Sequence, residues 1–131
     1  QEIAVLKSHD EFTDLLENQT ILGYCLDEIA AEKTIALLDS ARTEPRDLYD
    51  LWYLTDESQS VSLENCIDAI NAKLRHRGKN LIDIKPNFQK KEIRLEKAWE
   101  TRLAAQIATL PKFSNIFRSV KRNLRQTEII S

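Results

Sequence analysis

A lysine stands where helical periodicity predicts an apolar side chain. Lys33 falls near the centre of one face of a predicted helix. The rest of that face is formed by Leu26, Ile29, Ala36 and Leu37. A buried ammonium group needs a carboxylate partner, an anion in a cavity, or the loss of its proton. The alternative is that the apolar stem of Lys33 packs while its ammonium group reaches water.

The next predicted helix places two carboxylates close together. Asp47 lies on the same side as Leu51 and Leu54, and Asp50 lies one turn further along, at the margin of that side. Two structural alternatives stay open. Asp47 could satisfy free backbone N–H groups in the first helical turn. Asp50 could simply pair with Arg46, four residues before it.

Taken together, these residues predict a shared cleft. Two antiparallel helices joined by a short turn bring their apolar faces together, so Lys33 and Asp47 would converge. A lysine beside carboxylates suits phosphoryl transfer, because the lysine can bind phosphates and an aspartate can hold a metal ion or accept a proton. If neither residue serves the core, replacing either should change stability little.

The local sequence around these residues is distinctive. It runs DEIAAEK at residues 27–33, AR at 41–42 and PRDLYDLWYL at 45–54, followed by LEKAWETRL at 95–103 and LPKF at 110–113. These segments resemble the downstream motifs of the AbiEii-like nucleotidyltransferase family, whose members are known chiefly as toxins of bacterial and archaeal toxin-antitoxin systems. The resemblance covers residues 19–125.

The resemblance implies roles for four residues. Lys33, Asp47 and Asp50 would be catalytic, and Lys33 together with Arg46 would bind the nucleotide. The complete enzyme would use Mg²⁺ and an NTP and would transfer a nucleotide to an acceptor, which is tRNA for some members. An antitoxin protein is the implied partner. No metal ligand is expected among the residues of this chain.

One family motif is absent from this sequence. The Gly-Ser turn followed by a metal-binding Asp-x-Asp does not occur in it, and the chain lacks an obvious group to chelate Mg²⁺ and cradle a triphosphate. We therefore expect residues 1–131 to be the C-terminal helical part of a nucleotidyltransferase, inactive alone and without bound cofactors. Residues 1–26 would be a remnant of the missing N-terminal half, which would be a partner. The chain is then a fragment or a degenerate gene product.

The composition predicts a mainly α fold of about five helices with at most a small β element at the N-terminal end. The β-like segments are residues 3–6 and 20–26, and they flank a helix at 10–17. Further helices are predicted at residues 27–41 with Asp27 as N-cap, at 45–54 after Pro45, and around 67–74 with Gly78 ending it. A loop at 79–87, a long helix at 88–110 that includes Ile93, and a helix at 114–124 complete the chain.

Charge divides along the sequence. Residues 1–60 hold four basic and fourteen acidic side chains, whereas residues 61–131 hold fifteen basic and seven acidic ones. Two basic groups on predicted helices could bind an RNA acceptor. They comprise Lys90, Lys91, Arg94 and Lys97, and Arg118, Lys121, Arg122 and Arg125. The alternatives are neutralisation between the two halves and ordinary solvated helix faces.

The remaining features indicate a cytoplasmic protein without a membrane segment. No apolar run approaches the roughly 20 residues of a membrane span, and the two cysteines are too few for a disulfide framework. A second class of function stays open: a noncatalytic helical module that docks on a protein or nucleic acid. Its candidate anchors would be Trp52, Tyr53 and Trp99 if they are exposed.

Overall fold

The computed structural model describes residues 20–131, with side chains from residue 25 onward. The predicted segments at 3–6 and 10–17 lie outside these residues. Within the described range there are helices and no strand, so the mainly α prediction is confirmed, with five helices of eight residues or more. The helices are α1 Thr20–Leu38, α2 Pro45–Trp52, α3 Ile67–His76, α4 Leu81–Ile84, α5 Asn87–Lys90, α6 Glu92–Leu103 and α7 Phe113–Gln126.

Helix α1 begins earlier than its sequence pattern indicated. The predicted β-like segment at residues 20–26 is wrong, because these residues form the first turns of α1. Asp27 is therefore inside the helix and is not its N-cap. Leu26 is fully buried on the helix face that meets the core. A short apolar run with β-branched residues fits a strand and a buried helix equally well, and here the tertiary packing decides.

Helix α2 starts at Pro45, as predicted. The side chain of Glu44, the N-cap residue, accepts a hydrogen bond from the Arg46 backbone N–H at 3.2 Å. Proline is favoured at this position because its missing N–H would have no partner there. After Trp52 the chain widens into a π-helical turn, Tyr53–Glu57, so the regular α-helix ends before residue 54.

Gly78 ends α3, as predicted. It adopts a φ of 69°, and the Lys79 backbone N–H reaches back to the Leu74 carbonyl at 2.8 Å. This left-handed turn is one that glycine adopts without steric cost. The predicted loop that follows contains the short helix α4, whose first turn is capped by the Asn80 side chain accepting from the Ile82 N–H.

The single long helix predicted at residues 88–110 is wrong. The chain breaks at Lys91 into α5 and α6, and α6 ends at Leu103. Ile93, placed on the apolar stripe by the sequence pattern, is 67% exposed. Trp99 and Leu103 of the predicted stripe are buried, and Phe88 and Leu95 complete the buried stripe in place of Ile93.

The core lies between α1, α2 and the two C-terminal helices. Helix α1 packs on α2 and α3, and α2 packs on α6 and α7. The predicted stripe of α7 is buried as expected and comprises Ile116, Phe117, Val120 and Leu124. Phe88 stacks on Phe117 with ring centroids 4.7 Å apart. The α1–α2 packing brings the centre of α1 against the first turns of α2. No helix among the described residues is both long and apolar enough to cross a membrane.

Candidate functional site

Lys33 meets carboxylates rather than open solvent. Its Nζ donates to Asp47 Oδ1 at 3.3 Å and lies 2.9 Å from Asp50 Oδ2. The Lys33 side chain is only 11% exposed. The structure therefore brings together the three residues to which the resemblance gives catalytic roles, and the lysine does not simply reach out to water.

Asp47 is held by a second cation. Arg42 Nε donates to Asp47 Oδ2 at 2.7 Å, and Arg42 Nη2 donates to Asp47 Oδ1 at 3.3 Å. The Asp47 side chain is 3% exposed. Its oxygens thus face Lys33 and Arg42, while the capping role considered for it belongs to the Glu44 side chain.

Asp50 has both of the partners that the sequence allowed. Its Oδ1 accepts from Arg46 Nε at 2.7 Å. Its buried Oδ2 makes the 2.9 Å charge contact with Lys33 but accepts no hydrogen bond. Arg46 continues the network, because its Nη1 donates to Gln106 Oε1 at 2.8 Å. Arg46 thereby links Asp50 to the segment that follows α6.

Arg42 is the member of this cluster that the sequence interpretation did not assign. It belongs to the AR segment at residues 41–42, for which the sequence analysis gave no role. The available signal was its positive charge, five residues before Asp47 in the sequence. The Arg42 side chain is 51% exposed, although it binds a buried carboxylate. Its hydrogen bonds to Asp47 and the charge of that residue raise the pKa of Arg42.

The cluster lies on the wall of an open groove of about 620 Å³. Lys33, Arg42 and Asp47 line one part of it. Another part carries surface ion pairs between α1 and α3: Lys73 contacts Glu28 at 2.9 Å and Glu32 at 3.0 Å, and Arg77 contacts Glu32 at 3.0 Å. Hydrogen bonds to Glu28 and Glu32 raise the pKa of Lys73. The groove thus offers four cationic groups, each shared with a carboxylate.

The described residues do not form a Mg²⁺ site. Among them no group of three or more His, Cys, Asp or Glu side chains is placed to hold a metal ion. Asp47 and Asp50 are already surrounded by three cationic groups, those of Lys33, Arg42 and Arg46. A hard divalent cation prefers a shell of oxygen ligands, which this arrangement does not supply.

Lys91 does not belong to a basic surface, contrary to its place in the first predicted group. It is 1% exposed, and its Nζ donates to the carbonyls of Ala36 at 2.9 Å and Asp39 at 3.0 Å. Asn87 and Arg94 donate to neighbouring carbonyls of the same helix end. These side chains cap the C-terminus of α1, where cations and donors are favoured. Burial lowers the pKa of Lys91 to about 8.

The second basic group lies on the surface of α7. Arg118, Lys121, Arg122 and Arg125 line a shallow depression of about 430 Å³. None of these four side chains has an ion-pair partner within residues 25–131. Trp99, considered as an exposed anchor, is instead a core residue whose Nε1 donates to the Pro111 carbonyl at 2.9 Å.

Comparison with known protein families gives a match over most of the chain. The model of the family described as "Nucleotidyl transferase AbiEii toxin, Type IV TA system" matches residues 2–123, which is most of the chain. No curated protein and no solved structure matches it.

Proposed function

The chain belongs to the AbiEii nucleotidyl transferase toxin family, and we propose that it is the helical part of an enzyme that transfers a nucleotide from an NTP to an RNA acceptor. The observation that carries this proposal is the convergence of Lys33 and Asp47 on one groove, at positions where the chain's wording resembles the family's motifs. The type IV toxin-antitoxin family implies an antitoxin as a further partner.

The geometry supports a division of labour within the cluster. Lys33 binds the phosphates of the nucleotide, since it carries a positive charge and lines the groove. Asp47 accepts the proton of the attacking hydroxyl. The hydroxyl oxygen forms a bond to the α-phosphorus, and the bond to the pyrophosphate leaving group breaks. Asp50, which contacts Lys33, and Arg46, which holds Asp50, keep the ammonium group in position.

The chain's own residues supply only part of such a site. When bound, Mg²⁺ would stabilise the charge that develops on the phosphates. The described carboxylates do not fit it, so we assign metal binding to the Gly-Ser and Asp-x-Asp motif, which this sequence lacks. On this proposal the chain alone is inactive, and a segment carrying that motif completes the groove.

The exposed face of α7 is our candidate for the RNA acceptor surface. Its support is the cluster of four cations without carboxylate partners within residues 25–131. Such cations bind phosphates by releasing counterions, so binding should weaken steeply as salt is raised. Binding that does not depend on salt, or none at low ionic strength, would argue against an RNA acceptor at this surface.

A transfer assay tests the proposal. A protein that joins this chain to a segment carrying the Gly-Ser and Asp-x-Asp motif is incubated with labelled NTPs and RNA, beside the chain alone. Incorporation is expected only with the joined protein. Asp47→Asn should abolish it, since an amide cannot take the proton. Asp56→Asn is the matched control, because Asp56 is an exposed acceptor for Trp52 and Ser119 on another surface.

Activity is normalised to the folded fraction, measured by circular dichroism. Retained transfer in Asp47→Asn would remove Asp47 from the chemistry. Equal losses in both variants would indicate a general structural effect. A joined protein that folds and binds NTP but transfers nothing to any RNA would favour a noncatalytic binding module instead.

A further inference from the structure

Arg42 and Asp47 differ sharply in how firmly they are placed. Asp47 sits on α2 and is almost fully buried, whereas Arg42 extends from the connection between α1 and α2 with half of its side chain in solvent. The ion pair therefore joins a fixed carboxylate to a guanidinium group that can turn into the groove. Rotating an exposed arginine side chain requires no change in the helices around it.

The pair also occupies the oxygens that Asp47 would need for chemistry. Arg42 Nε binds Oδ2, and Arg42 Nη2 shares Oδ1 with Lys33. Of these contacts, the one to Oδ2 comes from Arg42 and those to Oδ1 come from both cations. If Arg42 leaves, Oδ2 becomes free to accept a proton while Lys33 continues to hold Oδ1.

The groove offers Arg42 another anion. A guanidinium group binds phosphate oxygens in the same two-point geometry with which it binds a carboxylate. Arg42 and Asp47 both line the groove, whose volume of about 620 Å³ has room for a phosphate chain. Lys73 and Arg77, which line the same groove, are partly exposed and would add to the attraction for a polyphosphate.

We propose that Arg42 is a ligand-operated latch on Asp47: it covers the carboxylate in the free protein and exchanges it for the phosphate chain of the incoming nucleotide. The inference rests on the proposed function, which supplies the nucleotide. Exchange would release Asp47 Oδ2 only when a polyphosphate is bound. It would thereby keep the site from accepting protons before the substrate arrives.

The test uses this chain and inorganic triphosphate, with affinity measured by calorimetry at low salt. Arg42→Gln should weaken binding on the order of tenfold, the loss expected for a charge-assisted hydrogen bond. Asp47→Asn should strengthen it, because Arg42 no longer has a competing carboxylate. In the double variant the gain should disappear, since it depends on Arg42. The same residues acting independently would give additive effects and overturn the exchange.

Two controls separate exchange from a general charge effect. Glu28→Gln removes a negative charge from the same groove at a residue that pairs with Lys73 and not with Arg42, so its effect should be the same with and without Arg42→Gln. Arg102→Gln removes an exposed guanidinium paired with Glu44, outside the groove, and should leave triphosphate binding unchanged.

Nuclear magnetic resonance of the unsubstituted chain gives a measurement that does not depend on whether any variant folds. Triphosphate should shift the Arg42 Nε–H resonance and the carboxyl carbon of Asp47 together, with the same saturation. A shift of the arginine signal alone, or no binding at millimolar triphosphate, would overturn the proposal. Failure of the proposed function would be a different outcome. Nucleotide transfer would then be absent even though triphosphate binds and the effects of Arg42→Gln and Asp47→Asn on that binding are not additive.

Discussion

Among the residues whose side chains the structure describes, Lys33 and Lys91 are largely shielded from solvent, and they are held in opposite ways. Lys33 stands between the carboxylates of Asp47 and Asp50 at the wall of a groove. Lys91 is the more deeply buried of the two and is held by the carbonyls of Ala36 and Asp39. One ammonium group is in direct contact with carboxylates, whereas the other donates its hydrogen bonds to backbone carbonyls at the end of α1.

The difference shows that burial of a charge does not by itself mark a functional site. Lys91 caps a helix, is not among the residues that line the groove, and has its pKa lowered to about 8 by burial. Lys33 has acidic partners, lines a groove and lies within wording that resembles a family motif. The surroundings of a buried lysine, rather than its burial, distinguish a proposed role in chemistry from a role in stability.

The largest expected contrast is in activity. In the joined protein, Lys33→Met should lower nucleotide transfer on the order of a hundredfold, as is typical when a charge-stabilising donor is lost. Lys91→Met should leave transfer per folded molecule within about twofold, a change too small to count as loss of a catalytic group. Initial rates at saturating NTP, with folded protein quantified separately, measure both. Similar losses in the two variants would break the comparison.

The next effect concerns the free energy of unfolding. Asp47→Ala removes the carboxylate that Lys33 and Arg42 share. Breaking this buried ion pair should cost about 3 kcal/mol. The value is at the low end of the usual range because Lys33 retains Asp50 and Arg42 can turn to water. Urea unfolding of the chain measures it. This replaces the expectation of little change, which assumed that Asp47 does not serve the core; a loss below about 1 kcal/mol would restore that expectation.

The helices were largely predictable from local signals. Pro45 after Glu44, Gly78 after α3 and the apolar stripe of α7 each fixed a boundary or a face. The errors arose where local sequence was ambiguous. Residues 20–26 suit a strand and a buried helix equally, and the break at Lys91 changed the face on which Ile93 falls.

The site was partly predictable for the same reason. Lys33 and Asp47 interrupt apolar stripes, and that anomaly can be seen without coordinates. Lys91 interrupts one too, three residues after Phe88 and four before Leu95, but the misplaced stripe concealed it. Arg42 could not be placed, because a residue in a short connection has no periodic pattern that shows where its side chain points.

The pH dependence of stability should follow Lys91. Its pKa is about 8 in the folded protein and 10.5 for an ordinary lysine, so between these values the unfolded chain binds more protons. The unfolding free energy of the protein, relative to Lys91→Met, should therefore rise as pH increases from 8 to 10.5. One proton limits the slope to about 1.4 kcal/mol per pH unit. Chemical unfolding at several pH values gives both curves.

The control for this experiment is Lys79→Met, since Lys79 is exposed and its side chain has no ion pair within residues 25–131. Its stability difference from the unsubstituted protein should stay flat over the same pH range. Parallel curves for Lys91→Met and the unsubstituted protein would mean that Lys91 keeps an ordinary affinity for its proton despite burial.

The smallest effect should come from an ion pair that shares the groove but not the burial. Arg77 and Glu32 are both partly exposed, so water and salt screen their attraction. Arg77→Gln should lower the unfolding free energy by no more than about 1 kcal/mol, and the difference should shrink as salt is added. Asp47→Ala, measured beside it, should keep most of its cost in high salt because the Asp47 carboxylate is itself almost fully buried. Equal losses that fell together with salt would mean that burial does not strengthen the ion pairs of Asp47 relative to the exposed pair of Arg77 and Glu32. The argument that the surroundings of Lys33 distinguish it from other lysines would then lose its physical basis.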